Sequence, residues 1–197
     1  MKLKIVQTGD PVLRRVARTM SVDEIRSDST KWLIEQMRDA MRAAPGVGLA
    51  APQIGESIQL AVIEDRSDYL KEISSEQLAE RQRSPVDFQV IINPRLFIVG
   101  EETIDFFEGC LSVAGFGALV RRAINVRVEC LNERAEPISI TAQGWYARIL
   151  QHEIDHLNGT LYIDRMQTRS FTSMENVDRF WKSRTVEEVR KELTIDS

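Results

Sequence analysis

The chain has 197 residues, of which 43% are hydrophobic and 28% charged, and this composition predicts one globular domain spanning residues 1–197. The 30 acidic and 26 basic residues give a net charge of −4, and the lack of a basic cluster argues against a specific nucleic-acid ligand. No apolar run can span a bilayer, the N-terminus turns polar too early for a signal peptide, and two cysteines exclude a disulfide scaffold.

Hydrophobic periodicity predicts helices toward both ends of the chain and strands between them. Apolar side chains spaced three and four apart indicate helices, whereas alternating or short apolar runs indicate strands. Pro45 and Gly46 end the first helix, and Gly159 stands where a C-terminal cap glycine belongs. In chain order, the predicted elements are a helix over 30–44, strands over 58–64, 89–92, 95–99, 103–107, 124–130 and 138–142, a helix over 145–158, and a helical extension over 172–197. This order predicts an α+β fold.

Two segments stand apart from this core pattern. Residues 65–87 are polar, and we interpret them as a surface insertion in which Ser74-x-x-Gln77 caps a short helix. In the terminal extension, Thr185-x-x-Glu188 is a second capping box. These segments could support a homodimer or a ribosome contact, so the predicted oligomeric state stays open between monomer and homodimer.

The only two histidines, His152 and His156, lie within the sequence His-Glu-Ile-Asp-His. On a helix, a spacing of four places both imidazoles on one face. Two neutral imidazoles can bind a divalent metal, and Glu153 between them can act as general base toward a metal-bound water. Asp155 is interpreted either as a partner that orients a ligand histidine or as an exposed charge.

A catalytic metal site of this kind needs a third protein ligand, and Cys110 is the best candidate. Without a third histidine, the ligand must be a cysteine, an aspartate or a glutamate. Cys110 lies in the sequence Glu-Gly-Cys-Leu-Ser, whose small residues permit close approach of a ligand. Two alternatives stay open: a metalloprotease with Glu175 as third ligand, and a binding module with a closed metal site that includes Cys130. The apolar strand around Cys130 favours a buried thiol instead.

Three segments together resemble the peptide deformylase family. Its motifs Gly-x-Gly-x-Ala-Ala-x-Gln, Glu-Gly-Cys-Leu-Ser and Gln-His-Glu-x-Asp-His are matched in order at residues 46–53, 108–112 and 151–156. The resemblance covers about residues 5–171 and is greatest to the branch found in mitochondria, plastids and some bacteria. It implies a peptide deformylase-like fold, with antiparallel sheets packed around a central metal-motif helix, an N-terminal helix and a C-terminal helical region.

The resemblance implies a metal-dependent hydrolase that removes the N-formyl group from the N-terminal formylmethionine of newly made polypeptides and releases formate. The implied ligands of one divalent ion are Cys110, His152 and His156. Fe²⁺ is the expected native ion, and Zn²⁺, Ni²⁺ or Co²⁺ are alternatives. Metal-bound water would be the nucleophile and Glu153 its general base and acid. The Gln53 side-chain amide and the Leu111 backbone N–H would stabilise the oxyanion.

By the same resemblance, a shaped pocket beside the metal would bind the substrate. The implied substrate-binding residues are Gly46, Val47, Gly48, Glu108, Gly109, Trp145 and Ile149. The peptide backbone would pair near Gly48 and Gly109 as an added strand. The implied partners are N-formylmethionyl peptides and nascent chains, without a membrane. The expected location is the bacterial cytoplasm, or a mitochondrion or plastid if a transit sequence has been removed.

Overall fold

The computed structural model describes residues 3–195, and it confirms the predicted α+β fold with antiparallel sheets. The strands are β1 Gly48–Ala50, β2 Leu60–Asp65, β3 Val86–Ile98, β4 Thr103–Cys110, β5 Val113–Ala123, β6 Asn125–Leu131, β7 Pro137–Gln143 and β8 Thr172–Ser173. The α-helices are α1 Val22–Arg26, α2 Asp28–Ala43, α3 Ser67–Leu70, α4 Ser75–Glu80, α5 Gly144–Leu157, α6 Met174–Asn176 and α7 Val186–Glu192. A π-helical turn, Val177–Trp181, follows α6 directly.

The strands form a five-stranded sheet in the order β1-β2-β3-β6-β7 and a three-stranded sheet in the order β4-β5-β8. Strand β2 is buried along its whole length, because successive side chains point to opposite faces and both faces are covered. Ala61 and Ile63 lie in the hydrophobic cluster that contains the apolar residues of α5. Leu60 and Val62 lie in the cluster that contains the apolar residues of α2. The sheet is therefore packed between α5 and α2.

The two strands predicted on either side of Pro94 form one strand, β3, and this part of the prediction was wrong. The break occurs as a bulge, since the register with β6 shifts between Ile92 and Arg95. Asn93 there has a φ of +52°. Its side chain accepts a hydrogen bond from the Met20 backbone N–H at 2.9 Å and donates one to the Met20 carbonyl at 2.8 Å. The bulge therefore bends the strand without ending it.

Helix α1 and strand β5 were absent from the sequence prediction, as were the shorter elements β1, α3 and β8. Helix α1 begins at a capping box in which the Ser21 and Glu24 side chains each accept a hydrogen bond from the other residue's backbone N–H. Strand β5 was missed because glycines and paired arginines interrupt its apolar pattern. Strand β4 also continues to Cys110, three residues beyond its predicted end, so the whole Glu-Gly-Cys segment belongs to the β4–β5 hairpin.

The polar segment 65–87 carries two short helices, α3 and α4, and its ends are tied to the interior. Arg83 donates two hydrogen bonds to the buried carboxylate of Asp65, at 2.7 and 2.9 Å. The Arg81 carbonyl accepts a hydrogen bond from the Trp145 backbone N–H at 2.9 Å, at the start of α5. Gly144 has a φ of +57° there, and a Cβ on it would lie 2.5 Å from the Gln82 Cβ. The segment therefore helps to fix the beginning of the metal-motif helix.

The C-terminal extension, predicted to be helical from residue 172, begins instead with strand β8; α6, the π-helical turn and α7 follow it, and the Thr185 capping box begins α7 as predicted. Residues 196 and 197 of the predicted extension lie outside the described residues. The extension packs onto the domain through the buried side chain of Val189. Among residues 3–195, no helix combines the length and the apolar character needed to cross a membrane.

Candidate active site

The proposed metal ligands come together at the junction of the β4–β5 hairpin and helix α5. The β4–β5 register shifts between Gly109 and Cys110, and Cys110 lies at the hairpin end of β4. His152 and His156 lie one turn apart on α5, with ring centroids 5.0 Å apart. The Cys110 Sγ lies 3.2 Å from the His156 Nε2, and one ligand atom from each of the three residues lies within 4.8 Å of the others. One thiol and two imidazoles thus face a common point.

The carboxylate of Glu108 holds His152 in place. Glu108 accepts a hydrogen bond from the His152 Nδ1 at 2.9 Å, two from Arg122 at 2.9 and 3.0 Å, and one from Arg148 at 2.6 Å. Burial opposes ionisation of Glu108, but the bonds with His152 and Arg122 outweigh it and hold its pKa well below the usual range. Because a carboxylate can only accept, Nδ1 carries the proton and Nε2 is left to face the ligand cluster.

Asp155 belongs to the same buried charge network, and neither interpretation made from the sequence describes it. It is buried, so it is not an exposed charge. Its carboxylate pairs with Arg122 and, at 2.7 and 2.8 Å, with Arg165. It is Glu108 that contacts His152, and Asp155 is linked to that contact through Arg122.

Glu153 presents its carboxylate to the cavity from a fully enclosed position. Among the described residues, its Oε2 has no hydrogen-bond partner. Burial raises the pKa of Glu153 to about 7. A Cβ on Gly48 would lie 2.1 Å from the Glu153 Oε1, so strand β1 can pass this carboxylate only because residue 48 has no side chain.

The amide of Gln53 is held in a defined orientation beside the thiol. Its Oε1 accepts a hydrogen bond from the Ala50 backbone N–H at 2.8 Å. Its Nε2 consequently faces the hairpin, 3.5 Å from the Cys110 Sγ and 3.3 Å from the Ser112 Oγ. Leu111 follows the cysteine in the hairpin turn, and its carbonyl accepts a hydrogen bond from Gln7 at 2.9 Å. An amide donor and the backbone of the turn therefore flank the ligand cluster.

A cavity of about 530 Å³ opens beside these groups. His156 is the one predicted site residue that does not line it; its side chain is buried, with Nε2 against the Cys110 Sγ. The predicted residues that line the cavity are Gly46, Val47, Gly48, Gln53, Glu108, Gly109, Cys110, Leu111, Trp145, Ile149, His152 and Glu153. The carboxylate of Glu108 is occupied by His152 and two arginines, so a contact of this residue with substrate is left to its backbone.

The cavity also has lining residues that sequence reasoning did not identify, among them Phe107, Phe116, Arg148 and Met174. Arg148 could have been found, because it precedes His152 by the same four-residue step that separates the two histidines. The other three carry no local signal, since ordinary apolar residues have many uses in a fold.

Comparison with known proteins identifies the family. The sequence model described as polypeptide deformylase matches residues 2–171 of this chain. The chain belongs to this family. Peptide deformylase 1A, chloroplastic, of Solanum lycopersicum is 47% identical over 174 residues, which are 88% of this chain and 63% of that protein. Peptide deformylase 3 of Streptomyces avermitilis is 44% identical over 185 residues, 94% of this chain and 80% of that protein.

The deformylase fold is confirmed by solved structures. The Met-Ala-Ser-bound class I type b peptide deformylase of Acinetobacter baumannii matches with a TM-score of 0.75 at 31% identity, over 84% of this chain and 99% of that one. The chain spans less than two thirds of two chloroplast relatives, 63% of the Solanum protein and 65% of the Arabidopsis thaliana protein. The family resemblance stated from three motifs is thus confirmed.

Both rival ligand sets lose support in this deformylase-family chain. Across residues 3–195, the group of three or more potential metal ligands is Cys110 with the two histidines, and it does not include Glu175. Glu175 is exposed on α6. Cys130 is buried in the sheet among apolar side chains of the α5 cluster, as predicted, and burial raises the pKa of its thiol to about 11.

Proposed function

We propose that this chain removes the N-formyl group from the N-terminal formylmethionine of newly made polypeptides and releases formate. Membership of the deformylase family supports the reaction class. The observation that carries the proposal is the meeting of three distant motifs at one cavity. They bring together a thiol, two imidazoles, a buried carboxylate and an amide donor.

The proposed cofactor is one divalent cation held by Cys110, His152 and His156. These donors fit such an ion, because thiolate and imidazole suit zinc and iron(II), and three protein ligands leave a position open. A bound cation would supply Lewis acidity, polarising the formyl carbonyl and lowering the pKa of a water molecule. Following the family resemblance, Fe²⁺ is the proposed native ion, and Zn²⁺, Ni²⁺ or Co²⁺ are alternatives.

Glu153 is the proposed general base and acid. Its Oε2 has no hydrogen-bond partner among the described residues, and Glu153 lines the cavity beside the ligand cluster. Glu153 takes a proton from water as the oxygen bonds to the formyl carbon. It returns the proton to the amine nitrogen as the carbon–nitrogen bond breaks, which yields formate and a free N-terminal amine.

Gln53 and Leu111 are proposed to stabilise the negative charge that develops on the formyl oxygen. The orientation of the Gln53 amide supports this role, because the Ala50 N–H fixes its oxygen and leaves its N–H groups toward the thiol. The backbone N–H of Leu111 belongs to the hairpin turn that follows Cys110. Preorganised donors of this kind stabilise the transition state without reorganising during the reaction.

The walls of the cavity are proposed to select the substrate. Val47, Trp145 and Ile149 supply apolar surface for the methionine side chain, and Gly48 and Gly109 offer backbone for an extended peptide. The proposed partners are formylated nascent chains. Ribosome contact, the choice between monomer and homodimer, and location in the bacterial cytoplasm, a mitochondrion or a plastid stay predictions.

The test is to incubate anaerobic, iron-loaded protein with formyl-Met-Ala-Ser and measure formate. We expect formate release from the wild type, loss of both metal and turnover in Cys110→Ala, and bound metal without turnover in Glu153→Ala. Glu175→Ala is the control, since Glu175 is exposed outside the ligand cluster. Cleavage of internal peptide bonds without formate, together with a requirement for Glu175, would instead establish the metalloprotease.

A further inference from the structure

Three large apolar side chains are exposed together where the active-site cavity opens. Phe116, Phe171 and Met174 are 43%, 42% and 38% exposed. The rings of Phe116 and Phe171 stack with centroids 5.1 Å apart and planes 10° apart. Phe116 and Met174 line the cavity itself. We name these three residues the apolar rim, and contiguous exposed apolar surface of this kind marks an interaction site.

The apolar rim is built by the C-terminal segment meeting the β4–β5 hairpin. Strand β8, which separates Phe171 from Met174, pairs with β5 at Phe116 and Gly117. Gly117 lies directly opposite Gly109 in the hairpin. A Cβ on Gly117 would lie 2.9 Å from the Met174 Sδ, and one on Gly109 would lie 3.7 Å from it. The two glycines thus provide the space that the thioether occupies.

The segment that carries Met174 is held in position by its own contacts. Arg190 of α7 pairs with the buried carboxylate of Asp105 on β4, and Val189 beside it is buried. The Gln77 side-chain amide of α4 donates a hydrogen bond to the Lys182 carbonyl at 2.8 Å. Met174 lies beyond residue 171, where the match to the family ends. The extension therefore brings to the cavity a side chain from outside the family match.

We propose that the apolar rim binds the side chain of the residue that follows formylmethionine and gives the enzyme a preference for large apolar residues there. The inference rests on the proposed function, which puts the formyl group at Cys110. Gly109 immediately precedes Cys110, and Met174 lies over Gly109. An extended peptide advances about 3.3 Å per residue, so a chain leaving the ligand cluster along Gly109 reaches the rim within one or two residues.

The chemistry of the apolar rim identifies the side chain that it accepts. A thioether and two aromatic rings offer polarisable, uncharged surface, which favours aliphatic and especially aromatic partners. Among the residues that line the cavity, Arg148 is the arginine that could pair with a carboxylate of the substrate. It is buried, however, and already bound to Glu108 and to two backbone carbonyls. A carboxylate at the second substrate position therefore gains nothing in exchange for its lost hydration.

The experiment measures kcat/KM of the iron-loaded enzyme for formyl-Met-Xaa-Ser peptides with Phe, Leu, Ala or Asp at Xaa. We expect the Phe peptide to exceed the Ala peptide about tenfold, the lower end of what a hydrophobic pocket discriminates. Met174→Ala should reduce this ratio to about twofold, and Met174→Leu should retain it because the apolar volume is kept. Phe180→Ala is the matched control, because Phe180 is 44% exposed in the same extension and contacts Trp181 away from the cavity.

The outcomes separate the two proposals. Formate from all four peptides at equal kcat/KM would overturn the apolar rim and leave the deformylase reaction standing. An equal loss for every peptide in Met174→Ala, or a changed ratio in Phe180→Ala, would show a merely structural role and also overturn it. Release of formate from none of the peptides would refute the proposed function itself.

Discussion

Replacing Gly48 by alanine should disable catalysis without removing the metal. Gly48 lies in the extended strand β1, a conformation that alanine also adopts, so the backbone itself is not strained. The added Cβ would lie 2.1 Å from the Glu153 Oε1, 2.5 Å from its Cδ and 2.8 Å from its Cγ. All three distances fall below the 3.0 Å that real Cβ atoms keep, so the whole carboxylate must move.

The required movement sets the size of the effect. Restoring a 3.0 Å contact from 2.1 Å displaces the Glu153 carboxylate by about 0.9 Å. A displacement of about 1 Å in a catalytic group costs about 100-fold in rate, so kcat for formate release should fall by about that factor. Overpacking of the enclosed site should also lower the free energy of unfolding by about 1–3 kcal/mol. Metal content should stay unchanged, because the three atoms nearest to the added Cβ all belong to Glu153 and none to a proposed metal ligand.

A double-mutant cycle decides whether the collision with Glu153 is the cause. In a Glu153→Ala background the carboxylate that collides with the new Cβ is absent, so Gly48→Ala should no longer lower the free energy of unfolding. Gly46→Ala, two residues earlier, is the comparison, since the nearest atom to its Cβ would be a movable methyl group of Leu111 at 3.1 Å, followed by Met41 atoms at an ordinary 3.5 Å. Its effect on both readouts should be smaller. Wild-type turnover in Gly48→Ala, or an undiminished loss of stability in the Glu153→Ala background, would refute this reasoning.

Three further predictions concern Glu108 and Gln53 at the site and Cys130 in the sheet. Glu108→Gln should weaken metal affinity about 10- to 100-fold, because it removes the negative charge that both His152 and Arg122 contact. Competition with a chelator measures this, and an unchanged affinity would contradict it. Gln53→Ala should lower kcat about 100- to 1,000-fold with metal retained, and a change confined to KM would disprove the oxyanion role. Burial raises the pKa of Cys130 to about 11, so its thiol is protonated at pH 8. In the folded, metal-free protein a thiol reagent should therefore label Cys110 and not Cys130. Rapid labelling of both cysteines would contradict the burial of Cys130.

The fold could be predicted from sequence where the local pattern matched the tertiary environment. Helix α2 and the strand β6 show the periodicity that their half-buried surfaces require. Strand β5 could not be found this way, because its Arg121 and Arg122 look solvent-exposed in isolation. Arg121 is indeed exposed, whereas Arg122 is buried; they pair with Asp105 and Glu108 on the neighbouring strand, and no single-strand pattern contains either pairing.

The candidate metal site could be predicted from sequence because cysteine and paired histidines are typical metal ligands. The two histidines were proposed as ligands from their spacing, and Cys110 from the need for a third ligand and from the family resemblance. The apolar rim was not, because Met174 reaches the cavity through the pairing of a two-residue strand. Gly117 gave no signal either, since its lack of a side chain matters only once Met174 lies against it.

The buried network restricts how Glu108, a predicted substrate-binding residue, could contact a substrate. Its position beside Cys110 places its backbone in the cavity wall, which is where a substrate-binding residue would be sought. Its carboxylate, however, must remain ionised to accept the Nδ1 proton of His152, and an ionised group in the interior needs compensating charge. Arg122 and Arg148 supply that charge, and Asp155 in turn offsets Arg122. The interior arginines are therefore a consequence of orienting one imidazole: the carboxylate of Glu108 holds His152, and only the backbone of Glu108 is left to line the cavity.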